Sequence, residues 1–316
     1  MATRVLMTVD TELLWRHYAA GASWRDNFAY AFDSAGVGVP WQLERLAAYG
    51  LKACFFVDPM PAEVYGLEPV RRMVAPILAA AQEVQLHLHP CWRSVARGVA
   101  EGSGFEITCF DEDGQGELVE RARSLLIEAG APAPIAFRSG SYAADTRTLA
   151  ALVSAGIRFD SSHNGSHHPW PSALPLAPAQ IAPVALKGLV EVPVTQIEDA
   201  PGRLRHLQLC AVSGEELEAA LLHADAEGQP LVTIVSHSFE LASRDGRRPN
   251  RTLCRRFERL CAFLAAHRER LPTAHFADLG DLPLGVSATP LPAGRLRTAR
   301  RMAEQFWANA IYERAL

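Results

Sequence analysis

The stretch Glu83-Val84-Gln85-Leu86-His87-Leu88-His89-Pro90 decides what fold this chain is expected to have. Its composition predicts a short β-strand, and Pro90, which has no backbone N–H, ends it. Side chains two residues apart on a strand point to the same side, so the two imidazoles face one spot. Two converging imidazoles at a strand end form half of a divalent-metal site. A hydrogen-bonded histidine pair is the alternative that this stretch leaves open.

Strand-like and helix-like segments alternate on both sides of this stretch. Strands are predicted at residues 4–10, 52–58, 83–89, 136–140, 157–161, 189–197, 231–238 and 275–278. Helices are predicted at residues 40–49, 68–82, 117–129, 145–155, 214–226 and 251–269. Repeated β–α units with right-handed crossovers build a parallel sheet, and seven or eight units over about 290 residues favour a barrel over an open sheet.

Composition and charge exclude several classes of function. The chain has 316 residues, of which 49% are hydrophobic, and this suits one large α/β domain or two small ones. A net charge of −4 without a dense basic patch argues against a nucleic-acid partner. No run of about 18 apolar residues is present, so no membrane span is expected. Six cysteines without a C-x-x-C pair, and a first strand that starts too near Met1 for a signal peptide, predict a cytoplasmic protein.

Reactive side chains follow several of the predicted strands, at the end where loops converge over a barrel mouth. They are Asp10 and Glu12 after the first strand, His87 and His89 after the third, and then Arg138, Asp160 and His237 after later ones. Each of these strand ends alone could be a capped helix start or a solvated loop. Five of them at the same end of one sheet indicate a functional site.

The order of these motifs resembles the polysaccharide deacetylase family, carbohydrate esterase family 4, over residues 4–280. The family's first motif resembles Thr8-Val9-Asp10-Thr11-Glu12, and its metal motif resembles Glu83–Pro90. Its arginine motif is similar to Phe137–Tyr142, and its closing histidine motif is similar to Val235–Ser238. The resemblance implies a distorted (β/α) barrel of seven or eight parallel strands in a single domain, and the removal of an acyl group from a sugar.

The resemblance also implies domain boundaries. Residues 1–290 would form the deacetylase-like barrel, with loop insertions at 11–39, 90–115 and 163–188, and residues 291–316 would form a C-terminal helix. This helix pairs a basic face with apolar side chains, which predicts packing on the barrel or against another subunit. A homo-oligomer through the C-terminal helix is therefore one expectation.

Two departures from the family pattern bear on the metal ligands. The commonest first motif has adjacent aspartates, whereas the acids here are Asp10 and Glu12, the D-x-E spacing of one branch of the family. The second histidine comes two residues after the first, as in an H-x-H-P variant, and not at the position of Cys91. We therefore expect Glu12, His87 and His89 to hold one divalent ion, with zinc as the expected metal. Asp10 or Cys91 is an alternative ligand.

The chemistry that these residues support is metal-assisted amide hydrolysis. Asp10 is expected to be the general base and His237 the acid that protonates the leaving amine. Arg138 is expected to pair with Asp10 and orient it, with a purely structural salt bridge as the alternative. By resemblance, the backbone near Tyr142 would donate to the tetrahedral oxyanion.

Substrate contacts are expected at Tyr142, Asp160 and Trp15. Asp160 could instead cap the loop that follows its strand. Trp15 belongs to an aromatic-rich insertion, whose rings could stack on a sugar or form a minor core of the insertion.

Two other classes of protein fit parts of the sequence. A metal-dependent amidohydrolase barrel also uses H-x-H, but at its first strand and with a strand-end lysine, and neither Lys52 nor Lys187 suits that role. A sugar-binding relative that has lost efficient metal chemistry fits the altered motifs. The apparent lack of a secretion signal favours an N-acylated sugar or glycan biosynthetic intermediate over a cell-wall polymer as the partner.

Overall fold

The computed structural model describes residues 2–98 and 104–313. The strands in these ranges are β1 Arg4–Thr11, β2 Cys54–Val57, β3 Glu83–Leu88, β4 Ala136–Ser139, β5 Phe159–Asp160, β6 Val184–Leu186, β7 Leu189–Glu191, β8 Gln196–Ala200, β9 Arg203–His206 and β10 Leu231–His237. Eight of them form one curled sheet in the order β10-β1-β2-β3-β4-β5-β7-β6, and β8 pairs with β9 in a separate hairpin. Neighbours in the large sheet are parallel except β6 and β7. The predicted α/β class and distorted barrel are confirmed.

Helices alternate with the strands. They are α1 Trp15–Ala19, α2 Trp24–Ala31, α3 Val39–Tyr49, α4 Ala62–Tyr65, α5 Glu68–Ala79, α6 Cys91–Ala96, α7 Glu112–Glu128, α8 Thr146–Ser154, α9 Gly214–Ala226, α10 Arg251–Ala266 and α11 Arg295–Ala308. Helix α9 has its predicted bounds. It begins at Gly214 because Ser213 and Glu216 form a capping box, in which each side chain accepts a hydrogen bond from the other's backbone N–H. Helices α5 and α7 contact β3, and α9 contacts β10.

Strand register places the reactive side chains beside one another. Strand β1 is buried from Val5 to Thr11, as expected for a central parallel strand that is covered on both faces. Its pairing with β10 places Asp10 opposite His237, and the pairing of β3 with β4 places His87 opposite Arg138. Parallel pairing therefore brings residues that are far apart in sequence to one end of the sheet.

Irregular backbone closes the space between β7 and β10. The N–H of Thr195 donates to the carbonyl of Thr233 at 3.2 Å. Further along, the N–H of Val235 donates to the carbonyl of Leu207 at 3.0 Å, and the N–H of Leu209 donates to the carbonyl of Val235 at 2.8 Å. These bonds continue the sheet past β7 without a regular strand, and this is the distortion of the barrel.

Two predicted strands were wrong in extent or type. The segment predicted at 189–197 is divided between β7 and β8, because Pro193 between them has no N–H to donate to a ladder. The segment predicted at 275–278 is a 3₁₀ turn, Phe276–Asp278. Its backbone is tightened by the Asp278 carboxylate, which accepts from the N–H of His275 at 2.9 Å.

The predicted loop insertions contain secondary structure. The first, 11–39, holds α1 and α2, the second, 90–115, holds α6, and the third, 163–188, holds β6. Residues 99–103 of the second insertion lie outside the described residues, as do 314–316 at the C-terminus.

Helix α11 is attached to the barrel by an arginine. Arg301 is buried, and its guanidinium donates to the carboxylates of Asp199 and Glu216. The other side of α11 exposes large apolar side chains, namely Leu296, Met302, Phe306 and Trp307. The domain boundary at residue 290 stays a prediction. Across residues 2–98 and 104–313, no helix has both the length and the apolar character needed to cross a bilayer.

Candidate metal centre

Three side chains converge where β1 and β3 end. One ligand atom from each of Glu12, His87 and His89 lies within 4.8 Å of the other two. The Nε2 of His87 is 3.6 Å from a Glu12 carboxylate oxygen, and the Nε2 of His89 contacts the same oxygen. Within the part of the chain that the structure describes, this is the only such group of histidine, cysteine or carboxylate ligands. Asp10 and Cys91, the alternative ligands that the sequence left open, do not belong to this group.

The tautomer of His87 is set by a backbone group. Its Nδ1 lies 2.7 Å from the carbonyl oxygen of Arg138. Because a carbonyl can only accept, Nδ1 carries the hydrogen, and in the neutral ring Nε2 presents a lone pair toward Glu12. A backbone carbonyl that orients an imidazole in this way is a common support of metal-binding histidines.

The ring of His89 occupies space that only a glycine leaves free. A Cβ atom at Gly140 would lie 2.4 Å from both Cε1 and Nδ1 of the His89 ring. This distance is far below van der Waals contact, so any side chain at residue 140 would displace the imidazole. Gly140 follows β4 directly. Two residues before it, the backbone carbonyl of Arg138 orients His87.

Opposite charges stabilise this cluster. Burial raises the pKa of Glu12, but the two imidazoles outweigh it and hold that pKa well below its usual value. Burial lowers the pKa of His89, but Glu12 outweighs it and raises that pKa well above the usual value. A divalent cation bound to these atoms would replace the proton on His89. One carboxylate and two imidazoles are a donor set of catalytic zinc sites, so the residues fit such an ion.

A buried ion pair adjoins the metal centre. Arg138 is fully buried and donates to Asp10 Oδ1 at 2.7 Å and to Thr8 Oγ1 at 2.8 Å. It also donates to Ser161 Oγ at 3.0 Å, and its guanidinium lies 4.4 Å from the ring centre of Phe56. The guanidinium is therefore well hydrogen-bonded, as a buried charge requires. The second oxygen of Asp10 faces His237.

His237 lies between two carboxylates. Its Nε2 is 3.9 Å from Asp10 Oδ2, and its Nδ1 is 3.5 Å from Glu240 Oε2. The side-chain nitrogen of Gln208 is 3.0 Å from Nδ1 and donates to Glu240 at 3.1 Å. Burial lowers the pKa of His237, but the hydrogen bond with Glu240 and the charge of Asp10 outweigh it and raise the pKa to about 9. The two carboxylates thus favour the protonated form of the imidazole.

The Glu240→Gln variant is expected to lower the pKa of His237 from about 9 toward the ordinary histidine value of about 6.5. The physical reason is that the hydrogen bond to Glu240 is the largest cause that raises this pKa. An NMR titration of the His237 ring measures it directly, without a substrate. Glu258→Gln is the matched control, since Glu258 lies on α10 and pairs with Arg45. An unchanged His237 pKa in Glu240→Gln would show that Glu240 does not tune the imidazole.

Sequence analysis missed Asp58 and Gln208. Asp58 is buried beside the metal centre, where its Oδ1 accepts from the N–H of Met60 at 3.0 Å. Its Oδ2 has no partner among the described residues, and burial, partly offset by His89 and His87, raises its pKa to about 6. Its place at the end of the second predicted strand was a usable signal. Gln208 lies in irregular backbone, which carried no signal.

A cavity of about 390 Å³ opens beside Glu12 and His89. Trp15 and Phe105 line it with ring centres 4.9 Å apart, and Ser141 lies at its edge. A substrate bound at the metal centre could therefore contact Trp15. Of the other aromatic side chains of the first insertion, Tyr18, Phe28 and Tyr30 pack against the core.

Tyr142 lies on a left-handed turn after β4. The φ angles of Ser141 and Tyr142 are +54° and +60°, so the turn directs these residues out of the strand. The Tyr142 ring packs 5.6 Å from His167 and 6.3 Å from His206, measured between ring centres. Its hydroxyl has no partner within the described part of the chain, and burial raises its pKa.

Asp160 is fully buried, and this does not favour the substrate contact that the sequence predicted. Its Oδ1 accepts from Ser162 Oγ at 2.6 Å, and burial raises its pKa to about 6, although the hydrogen bonds with Glu191 and Ser162 oppose this. Ser162 in turn accepts from the N–H of Ser139 at 3.0 Å. Asp160 is thus positioned to support the end of β4, which carries Arg138.

Comparisons with solved structures agree on the fold. A Mycobacterium smegmatis protein assigned to the polysaccharide deacetylases is 20% identical, with a TM-score of 0.52 over 87% of this chain and 93% of that one. A 4-α-glucanotransferase from Thermococcus litoralis is 8% identical, with a TM-score of 0.53 over 87% of this chain and 38% of that one. A family 4 carbohydrate esterase from Streptomyces lividans is 13% identical, with a TM-score of 0.44 over 91% and 98%.

The predicted resemblance to polysaccharide deacetylases is therefore confirmed at the level of the fold. No family model matches this sequence, and no curated protein matches it either. Since a glucanotransferase shares the fold, the reaction has to be inferred from the site.

Proposed function

We propose that this protein is a metal-dependent deacylase, which removes an N-acyl group, acetyl in the simplest case, from a sugar or glycan biosynthetic intermediate. The observation that carries this proposal is the placement of three metal-binding donors, Glu12, His87 and His89, beside Asp10 and His237. A metal-binding group, a carboxylate base and a protonated imidazole are the three components that amide hydrolysis requires.

The metal-binding residues supply an open site. Three protein ligands leave coordination positions for water and substrate, as in catalytic zinc sites. Glu12, His87 and His89 would hold a divalent ion, expected to be zinc, and its Lewis acidity would polarise an amide carbonyl and acidify water. The cavity beside Glu12 and His89 gives the acylamino group access to that position.

Asp10 and His237 move the protons. Asp10 is held by Arg138 through one oxygen, so the other oxygen is oriented to take the proton of the attacking water. His237 is protonated before the reaction and gives its proton to the amine nitrogen as the C–N bond breaks. The backbone at the turn of Ser141 and Tyr142 is the proposed donor to the tetrahedral oxyanion.

The cavity favours a compact substrate. Its volume of about 390 Å³ suits one sugar ring with its acyl group, and Trp15 and Phe105 offer faces for stacking on the ring. A long polymer would need an extended groove. The substrate class is therefore a single N-acylated sugar unit, free or attached to a carrier.

Acetate and formate release from a panel of N-acyl substrates tests the proposal. The panel sets N-acyl sugars and sugar nucleotides against chitin oligomers and peptidoglycan, with zinc-loaded protein. We expect release from the small substrates, and release that is slower by about 10²–10⁴-fold with the Asp10→Asn variant. Preference for the polymers would contradict the argument from the cavity. No release from any substrate, together with no bound metal, would favour the sugar-binding alternative.

Two expectations from the sequence stay predictions. The cytoplasmic location is one of them. A homo-oligomer through α11 rests on its apolar side chains, which the structure leaves exposed.

A further inference from the structure

A second cavity, of about 320 Å³, lies between the β8–β9 hairpin and the 3₁₀ turn Gly165–His167. Two arginines, Arg203 and Arg205, line it from β9. His206, His167 and Ser166 complete the wall, with Ser166 Oγ 2.8 Å from the Nδ1 of His206. Apart from the buried carboxylate of Asp199, the polar side chains on this wall are hydrogen-bond donors or imidazoles.

Positive charge is in excess here. Asp199, whose side chain is only 2% exposed, accepts from Arg203 at 2.7 Å and from Arg205 at 3.0 Å, and it also pairs with the buried Arg301. Glu216 accepts from Arg301 at 3.2 Å. Three guanidinium groups thus face two carboxylates. Asp199 orients Arg203 and Arg205, but its single negative charge does not neutralise both of them.

The arginines keep donors available. The side chain of Arg203 is 68% exposed and that of Arg205 is 29% exposed. The Nε of Arg205 is buried and has no hydrogen-bond partner among the residues that the structure describes. A buried donor without a partner carries a desolvation cost, and a bound acceptor would remove that cost.

The histidines are neutral because of their surroundings. Burial lowers the pKa of His206 to about 4, the hydrogen bond with Gln208 opposes this only in part, and the nearby His167, His237 and Arg205 lower the pKa further. Burial also lowers the pKa of His167. The neutral His206 ring gives its one N–H to the side-chain oxygen of Gln208, so of the two imidazoles only His167 has an N–H to offer an anion, and neither ring adds fixed charge to the cavity.

The second cavity is connected to the proposed catalytic residues. The side-chain oxygen of Gln208 accepts from His206 Nε2 at 2.7 Å, while its nitrogen is 3.0 Å from His237 Nδ1. The Ser141–Tyr142 turn separates the two cavities, since Ser141 lines the first and the Tyr142 ring packs against the wall of the second. The two cavities therefore lie on either side of this turn.

We propose that the second cavity binds a phosphoester group of the substrate, so that the deacylated compound is a phosphorylated N-acyl sugar. This inference rests on the proposed function. Paired guanidinium groups form charge-assisted, two-point hydrogen bonds with phosphate oxygens, which suits Arg203 and Arg205. The acylamino group then lies at the metal centre and the phosphoester at the hairpin.

Binding of inorganic pyrophosphate, measured by calorimetry at low salt, tests the site without any turnover. We expect the wild-type protein to bind, and the double variant R203Q/R205Q to bind about tenfold or more weakly. Arg300→Gln is the matched control, because Arg300 pairs with Glu215 on the protein surface. The single variant Arg203→Gln, at the more exposed position, covers the case in which the double variant does not fold. Equal binding by wild type and both cavity variants, or no binding by wild type, would overturn the proposal.

Kinetics separate a failure of this site from a failure of the proposed function. With N-acetylglucosamine 1-phosphate, Arg203→Gln should raise KM about tenfold with little change in kcat, and with N-acetylglucosamine it should change neither. The same KM for both sugars in the wild type would overturn the phosphoester site and leave the deacylase proposal standing. Pyrophosphate binding that depends on the arginines, without deacylation of any sugar, would support the site and contradict the deacylase proposal.

Discussion

Changing His87 to alanine is expected to remove the bound metal and, with it, the activity. His87 has a tautomer set by the Arg138 carbonyl, so its Nε2 is the most firmly oriented of the proposed ligand atoms. Loss of a partner that merely orients a ligand costs about 10–100-fold in metal affinity, so loss of a ligand should exceed 100-fold. Elemental analysis of protein purified without chelator measures this, with about one ion expected per wild-type chain.

A control histidine distinguishes a specific loss of bound metal from a general effect of removing an imidazole. His223 lies on α9, where its Nε2 lies 3.1 Å from the carbonyl of Thr289, and its change to alanine should leave the metal content unchanged. Thermal unfolding of both variants shows whether the barrel is intact. The metal assignment is wrong if His87→Ala and the wild type carry the same amount of metal.

Asp10→Asn and His237→Ala are each expected to lower kcat by about 10²–10⁴-fold while KM changes little. In the proposed mechanism both side chains transfer protons, which matters in the transition state more than in substrate binding. Asparagine is the better change at Asp10, because alanine would leave the buried Arg138 unpaired at a cost of about 3–5 kcal/mol. Steady-state kinetics on the best substrate of the panel measures the effect.

Asp33→Asn serves as the matched control for Asp10→Asn, because Asp33 is an exposed carboxylate far along the first insertion. A His237→Ala variant with near-normal kcat would remove this histidine from the mechanism. If both variants instead raise KM at constant kcat, the two side chains bind substrate and do not transfer protons.

Sequence periodicity was sufficient to predict the candidate metal ligands. His87 lies on β3 and His89 directly follows its last residue, while Asp10 lies on β1 and Glu12 directly follows its last residue. Strand alternation is a local property, so one chain segment determines which side chains share a face. The parallel order of the strands then followed from the β–α alternation, which left one end of the sheet for all the reactive residues.

The contacts around those residues depended on tertiary structure. Gln208 reaches His237 from irregular backbone that closes the barrel, and no periodic pattern marks that segment. The expected substrate contact at Asp160 also depended on packing, since the burial of this carboxylate is set by β7 beside it.

By itself, the sequence determined the α/β class, most of the strands and the pairing of His87 with His89, because these depend on local periodicity. The approach of Glu12 to the two histidines depends in addition on the pairing of β1 with β2 and of β2 with β3. Only the tertiary structure decided that Asp58 lies buried at the metal centre and that Arg203 and Arg205 line a second cavity. The physical reason is that burial and charge excess are sums over neighbours from distant segments. A residue's own sequence context does not contain those neighbours.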